Sequence, residues 1–227
     1  MSARGQVRPR GTLEVASIYA TIQGESTLAG WPCVMVRLSG CPLRCIYCDT
    51  PEALGPGEPM AVAEVVEAAL RPRIEMVEVT GGEPLIQVPE VHEMIRGLLR
   101  AGRRVLLETS GAVSIEGVDP EVKIVLDVKT PDSGGFTEEG LRNLRRLREG
   151  DEIKFVLVSR ADYEWARELV KRERLNEKWV VHFSPAEPAA VQGPDRRLLA
   201  EWILEDRLDV RLNLQIHRWI WGDEPGH

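Results

Sequence analysis

The chain reads as an α/β fold whose sheet curls into an incomplete βα barrel of about six parallel strands. Three observations predict this. Short, nearly continuous apolar runs alternate with stretches whose apolar residues recur at helical spacing, the pattern of a parallel sheet covered by helices. The apolar runs are too few for a closed eight-stranded barrel. Glycines, charges and small polar residues collect just after those runs, where parallel α/β folds place their active sites. An open doubly wound sheet is the alternative architecture.

The elements follow in order. Leu13 to Tyr19 is extended and precedes the first strand–helix unit. Val34-Met35-Val36-Arg37-Leu38 is a strand running into a cysteine-bearing loop. Val62, Val65, Val66, Ala69 and Leu70 share one helical face. Met76-Val77-Glu78-Val79 is the next strand, ending at Thr80-Gly81-Gly82, and Val91, Ile95, Leu98 and Leu99 mark a second amphipathic helix. Val105-Leu106-Leu107 and Ile124-Val125-Leu126 are strands joined by a connection with little helical pattern. Leu141, Leu144 and Leu147 mark another helix. Phe155-Val156-Leu157-Val158 is a strand, followed by a helix around Trp165 and Leu169. Trp179 to Phe183 is a strand, Leu198, Leu199, Trp202 and Ile203 supply a helix face, and Leu212 to Ile216 reads as a last strand ahead of His217. No repeat, linker or low-complexity stretch divides the chain, so residues 1–227 read as one domain with a loose basic tail at 1–11.

The 227 residues suffice for a sizeable core, and a composition of 43% hydrophobic and 29% charged residues marks a globular chain. A net charge of −7 argues against nucleic-acid backbone binding. Arg142, Arg145, Arg146 and Arg148 are the local exception and read as a solvated helix face. No apolar stretch approaches a membrane span, and the N-terminal segment lacks the apolar core of a signal peptide. Four cysteines, three of them crowded together, do not resemble a disulfide framework and suit a reducing cytoplasm.

Those three cysteines carry the chemistry. Cys41-Pro42-Leu43-Arg44-Cys45-Ile46-Tyr47-Cys48 places thiolates four and three positions apart. Such spacing suits one soft-metal centre, and three protein ligands leave a coordination position free. A zinc knuckle completed by Asp49 or a histidine is the competing reading. Gly81-Gly82 is either a tight strand-to-helix turn or a place where backbone N–H groups approach a polar ligand. Lys129 is a surface cation or, between Asp127 and Pro131, a ligand anchor. His217 is a structural histidine or a site residue. Cys33, outside the triplet, reads as a small buried apolar residue.

A strand running into Cys41-x-x-x-Cys45-x-x-Cys48, followed by Thr80-Gly81-Gly82-Glu83-Pro84, resembles the radical S-adenosylmethionine (SAM) superfamily. Within it, Ile22-Gln23-Gly24-Glu25-Ser26, Arg37-Leu38-Ser39-Gly40, Cys48-Asp49-Thr50 and Leu214-Gln215-Ile216-His217 resemble the 7-carboxy-7-deazaguanine synthases of queuosine and 7-deazapurine biosynthesis. The resemblance runs from about Leu13 to about Trp221.

The resemblance implies a barrel of radical-SAM type in which Cys41, Cys45 and Cys48 hold a [4Fe–4S] cluster. SAM would be bordered by Tyr47, Cys48, Asp49, Gly82, Asp127, Val128, Lys129, Phe183, Ser184, Pro185 and Ala186. Thr50 would be a magnesium ligand, an oxygen donor suited to that hard cation. Ile22, Gln23, Gly24, Glu25, Arg37, Thr80 and His217 would frame the substrate, 6-carboxy-5,6,7,8-tetrahydropterin. Its aminopyrimidinone edge suits a carboxylate and an amide, and its carboxylate suits Arg37 and magnesium. The implied reaction is a magnesium-dependent ring contraction to 7-carboxy-7-deazaguanine with loss of ammonia. No protein nucleophile is needed. A flavodoxin or ferredoxin electron donor and a homodimer are further implications. The segment after His217 departs from the family pattern, in some members of which the C-terminal carboxylate reaches the substrate. A radical-SAM activase for a glycyl-radical partner and a non-enzymatic zinc module are the other classes.

Overall fold

Alternation within the strands decides the architecture. In the parallel strands one set of side chains is apolar and the intervening set mixes polar residues such as Arg37, Glu78, Glu108, Asp127 and Lys154 with apolar ones, so one face of the sheet packs on helices and the other lines a lumen with charged groups in it. The computed structural model describes residues 9–187 and 193–222. In chain order the elements are β1 (Thr12–Ile22), β2 (Pro32–Leu38), β3 (Glu58–Ala61), α1 (Val62–Leu70), β4 (Met76–Gly81), α2 (Glu90–Arg100), β5 (Arg104–Thr109), β6 (Lys123–Asp127), α3 (Glu138–Asn143), β7 (Glu152–Leu157), α4 (Arg160–Glu173), β8 (Val180–Pro185), α5 (Arg196–Glu205), β9 (Arg211–Leu212) and α6 (Ile216–Trp221).

The strands form one sheet in the order β3-β1-β2-β4-β5-β6-β7-β8-β9. β1 runs antiparallel to β2 and β3. From β2 to β9 every pairing is parallel, and β2, β4, β5, β6, β7 and β8 are the six main parallel strands foreseen. The helix-facing set includes Val34, Val36, Leu38, Val77, Val79, Leu107, Ile124, Leu126, Ile153, Phe155, Leu157 and Phe183, all buried. The apolar stripes of α1 (Val65, Ala69), α2 (Val91, Met94, Ile95, Leu98) and α4 (Tyr163, Ala166, Val170) close over them. Phe183 meets Phe155 and Tyr163 edge-on, with ring centroids 5.8 Å apart in each pair.

The sheet stays open at β3 and β9 yet is strongly curled. Six strands separate β1 from β9, so in a flat sheet the two would stand about 34 Å apart. Instead the segment after β1 reaches across the lumen. Ser26 N–H donates to Asn213 Oδ1 at 3.2 Å, Thr27 N–H to Glu152 Oε2 at 3.0 Å, and Ile216 N–H to the Gly24 carbonyl at 3.0 Å. The result is an incomplete barrel plugged from one side by the β1–β2 loop.

Three expectations change. The last strand is Arg211–Leu212 only, and Ile216 already begins α6. Asn213 turns inward to bond Ser184 Oγ and Glu25 Oε1, each at 2.9 Å, which ends the ladder. The helix marked by Leu141, Leu144 and Leu147 is α3 plus a 3-10 turn over Leu144–Arg146, and Leu147 lies beyond it. The tail is shorter than 1–11 within the described chain. Gly11 N–H donates to Glu90 Oε1 at 3.2 Å, and its carbonyl accepts from Val62 N–H at 3.1 Å. Residues 1–8 lie outside the described residues, as does the segment 223–227 that follows α6.

Candidate active site at the carboxyl ends of the strands

The cysteine loop leaves β2 under tight backbone control. Ser39 N–H donates to Glu14 O at 2.9 Å, and Gly40 N–H to Ala53 O at 2.7 Å. Farther on, Ile46 N–H donates to Ser133 O at 2.9 Å, and Cys48 N–H to Cys45 O at 3.2 Å. Cys41, Cys45 and Cys48 are free, half-buried thiols lining one cavity. Burial pushes the Cys41 and Cys45 thiols up, while the Lys129 charge pulls both down. A Cβ on Gly135 would lie 2.5 Å from Cys45 Sγ, so the loop after β6 closes directly on this thiol. The donor set is all sulfur and faces one cavity beside a cation, which fits a cysteine-held iron–sulfur cluster. Among the described residues, no three His, Cys, Asp or Glu side chains converge on a single metal-ion position.

The glycine pair is a packing device. Gly81 has φ 144°, and a Cβ there would lie 2.0 Å from Leu38 O. A Cβ on Gly82 would lie 2.2 Å from Gly40 O. Gly82 N–H donates to Leu38 O at 2.9 Å and Glu83 N–H to Gly40 O at 2.8 Å. These amides are engaged, so they do not present a cradle to a ligand. Their effect is to hold the end of β4 against the cysteine loop. Glu83 is fully buried and fixes the next joint. It accepts from Thr109 Oγ1 (2.8 Å), Ser110 N–H (2.9 Å), Ser110 Oγ (2.5 Å) and Leu85 N–H (3.0 Å).

The lumen carries one connected polar network. Gln23 Nε2 donates to Glu78 Oε2 at 2.5 Å, and Gln23 Oε1 accepts from Glu25 N–H at 2.5 Å. Glu25 also accepts from Asn213 Nδ2 at 2.9 Å and Gln215 Nε2 at 3.3 Å. Arg37 donates to Thr50 Oγ1 at 3.2 Å and Tyr19 OH at 3.3 Å, and Thr50 Oγ1 donates to Asp49 Oδ1 at 2.9 Å. Lys154 pairs with Glu108, with Glu25 Oε2 at 3.4 Å and with Asp127 Oδ2 at 3.5 Å. Lys129 pairs with the same Asp127 oxygen at 2.9 Å and lies 5.2 Å from the Tyr47 ring centroid. Burial pushes the Glu78 carboxyl well above its ordinary range, aided by the charge and hydrogen bond of Glu108. Burial also raises Glu25. Burial alone would lower both lysines, yet Asp127 at Lys129, and Glu108, Glu25 and Asp127 at Lys154, hold them well above their ordinary value. Burial lowers the His217 imidazole, which favours its neutral form.

Most residues expected at the site line this one cavity. They are Ile22, Gln23, Gly24, Glu25, Arg37, Cys41, Cys45, Tyr47, Cys48, Asp49, Thr50, Thr80, Gly82, Asp127, Lys129, Ser184, Pro185, Ala186 and His217. Val128 and Phe183 do not. Their side chains point to the helix-facing core, because alternation along β6 into its loop and along β8 sends Asp127 and Ser184 to the lumen instead. The Val128 N–H is held by Lys154 O and the Phe183 carbonyl by Asn213 N–H, both at 2.9 Å. His217 reaches the cavity from α6, not from a strand end, and packs so closely on Gly24 that a Cβ there would lie 1.8 Å from Nδ1. Cys33 is fully buried, its thiol pushed up to about 12 by burial and by the Glu78 charge.

Tyr19, Glu78, Glu108, Lys154, Asn213 and Gln215 also line the cavity and were not singled out as site residues. A signal for two of them is present in the sequence. Glu78 and Lys154 stand alone between apolar residues inside buried strands, where a charge is costly unless it faces a partnered interior.

Known proteins share both the sequence and this architecture. A family model of the radical SAM superfamily matches residues 35–157. A 7-carboxy-7-deazaguanine synthase of Koribacter versatilis is 41% identical over 222 residues, covering 93% of this chain and 98% of the relative. Another, from Chlorobaculum tepidum, is 41% identical over 216 residues, covering 93% and 96%. The crystal structure of QueE from Escherichia coli superposes with a TM-score of 0.69 at 22% identity, over 92% of this chain and 96% of that one, and has the same fold. The matched span contains the cysteine loop, the glycine pair and Lys129, and the two synthases extend the likeness to 93% of the chain: the chain belongs to the radical SAM superfamily and, within it, to the 7-carboxy-7-deazaguanine synthases.

Proposed function

We infer that this protein makes 7-carboxy-7-deazaguanine by ring contraction of 6-carboxy-5,6,7,8-tetrahydropterin with loss of ammonia. The observation that carries the reading is that one cavity is lined by the three cysteines and by Gln23, Glu25, Arg37, Thr80 and His217. Relatives bearing that activity's name align along nearly the whole chain. When bound, the [4Fe–4S] cluster and SAM supply one-electron chemistry that side chains cannot perform. Cys41, Cys45 and Cys48 would hold the cluster. Tyr47, Asp49, Gly82, Asp127, Lys129, Ser184, Pro185 and Ala186 would border SAM.

The protein's own work is positioning. The Arg37 guanidinium, oriented by Thr50 and Tyr19, would pair with the substrate carboxylate. Thr50 would share that carboxylate's magnesium ion, which usually keeps several waters and takes few protein oxygens. Glu25 and the neutral His217 would read the pterin edge beside Gln23, whose amide is held between Glu78 and Glu25 N–H. Burial and the neighbouring Glu108 raise the Glu78 carboxyl, which favours its protonated form. Family membership also supports a reduced flavodoxin or ferredoxin as electron donor, a homodimer and a cytoplasmic location. The single nine-stranded sheet supports one domain.

The test is anaerobic incubation of the reconstituted protein with the carboxy-tetrahydropterin, SAM, magnesium and a reductant. Deazaguanine product by mass spectrometry is the expected result, and a fully clustered protein that cleaves SAM without forming it refutes the reading. Thr50→Ala should lose most of the magnesium dependence at unchanged iron and sulfide content. Loss of the cluster in that variant would show that Thr50 is misplaced.

A further inference from the structure

Lys154 has no role assigned by the spacing of motifs, yet it stands at the centre of the lumen. It is 5% exposed, and the strand register sets it beside Asp127 of β6 and His182 of β8. Its own strand flanks it with Glu152 and Val156 on the same face. Its ammonium meets three carboxylates from three different elements: Glu25 after β1, Glu108 on β5 and Asp127 on β6. A lysine has three N–H donors; Glu108 and Glu25 each accept one, and Asp127 Oδ2 stands 3.5 Å away as an ion pair.

The carboxylates are held from their other sides too. Asn213 and Gln215 bond Glu25, and Lys129 bonds the Asp127 oxygen that Lys154 shares. That leaves Asp127 Oδ1 as a buried acceptor without a hydrogen-bond partner. Glu25 belongs to the substrate-facing set and Asp127 to the cofactor-facing set.

We propose that Lys154 is a positioning residue that ties Glu25, on the substrate side, and the neighbouring Glu108 to Asp127, on the cofactor side, and so sets the substrate's stance relative to the cofactor. The proposal rests on the functional reading above. A tetrahedral ammonium satisfies three separate carboxylates at once, whereas a planar guanidinium carries the same charge but points its donors in a fixed fork. Charge compensation alone would therefore tolerate arginine, and positioning would not.

The experiment compares the full chain with Lys154→Met and Lys154→Arg. It measures iron content, substrate KM and kcat, product formed per SAM cleaved, and the affinity of the cluster-free protein for 6-carboxy-5,6,7,8-tetrahydropterin by anaerobic calorimetry. Both variants should load iron normally, bind the pterin at least tenfold more weakly and form at least fivefold less product per SAM cleaved. If Lys154→Met does not fold, Lys154→Arg decides. An arginine variant with wild-type pterin affinity and wild-type product per SAM shows that charge alone suffices and overturns the proposal. Wild-type protein that cleaves SAM without product strikes the functional reading itself, and the proposal falls with it.

Discussion

Glu83 shows how a residue inside a recognisable motif can act on the fold and not on the ligand. Its carboxylate satisfies donors from Leu85, Thr109 and Ser110, joining the loop after β4 to the end of β5. A glutamine has one acceptor oxygen and would turn an NH₂ toward donors that need an acceptor. Glu83→Gln should lower stability by about 2 kcal/mol, read as a lower urea midpoint at unchanged slope. The cysteines act differently. Cys41 and Cys45 are raised thiols in the cluster-free protein, so loading a metal centre must release their protons. Spacing and residue type single out Cys41, Cys45 and Cys48, and the family resemblance singles out Thr80. The division of labour between Gly82 and Glu83 was not legible, because sequence does not show which amides the neighbouring strand has already taken.

At the scale of elements, α6 is a short helix that puts one imidazole into the site. It docks through Ile216 N–H on Gly24 O and through the close fit of His217 over Gly24. Gly24→Ala should push α6 away, at a cost of roughly 1–3 kcal/mol. Faster proteolysis at residues 216–222 and a rise in substrate KM are the expected signs, and a variant unchanged in both would show that α6 docks without this contact. The helix was invisible in the pattern. Leu212, Leu214 and Ile216 alternate as a strand would, and what ends that strand is Asn213 bonding Ser184 and Glu25 in distant parts of the chain. The parallel strands were legible because their helix-facing residues form dense apolar runs. Their lumen face was less so, since Glu78 and Lys154 read as isolated charges until the sheet turns both into one cavity.

For the whole molecule the question is what keeps an open sheet curled. Glu152, fully buried on β7, is one closure. It accepts from Thr27 across the lumen, pairs with Lys123 of β6 at 2.8 Å and meets His182 of β8 at 2.6 Å. Burial would raise this carboxyl, but the hydrogen bonds of His182, Lys123 and Thr27 bring it down to about 2. A depressed folded-state pKa stabilises above the unfolded value of about 4.3, and that contribution is lost as pH falls toward 2. Its size is on the order of 3 kcal/mol. Glu152→Gln should lose that much at pH 7 and show a flatter decline in stability between pH 5 and about pH 2, measured by urea unfolding across that range. An acid limb identical to wild type would show that Glu152 does not supply it.

By itself the sequence determined the α/β class, the six main parallel strands, the cysteine loop and the family, because apolar periodicity and close ligand spacing are local properties. The tertiary structure decided which face each strand charge meets. It placed the Glu25–Lys154–Asp127 connection, turned the expected last strand into α6, and sent Val128 and Phe183 into the core. Those outcomes depend on strand register and on contacts across a curled sheet, where residues more than a hundred positions apart share one buried, low-dielectric space.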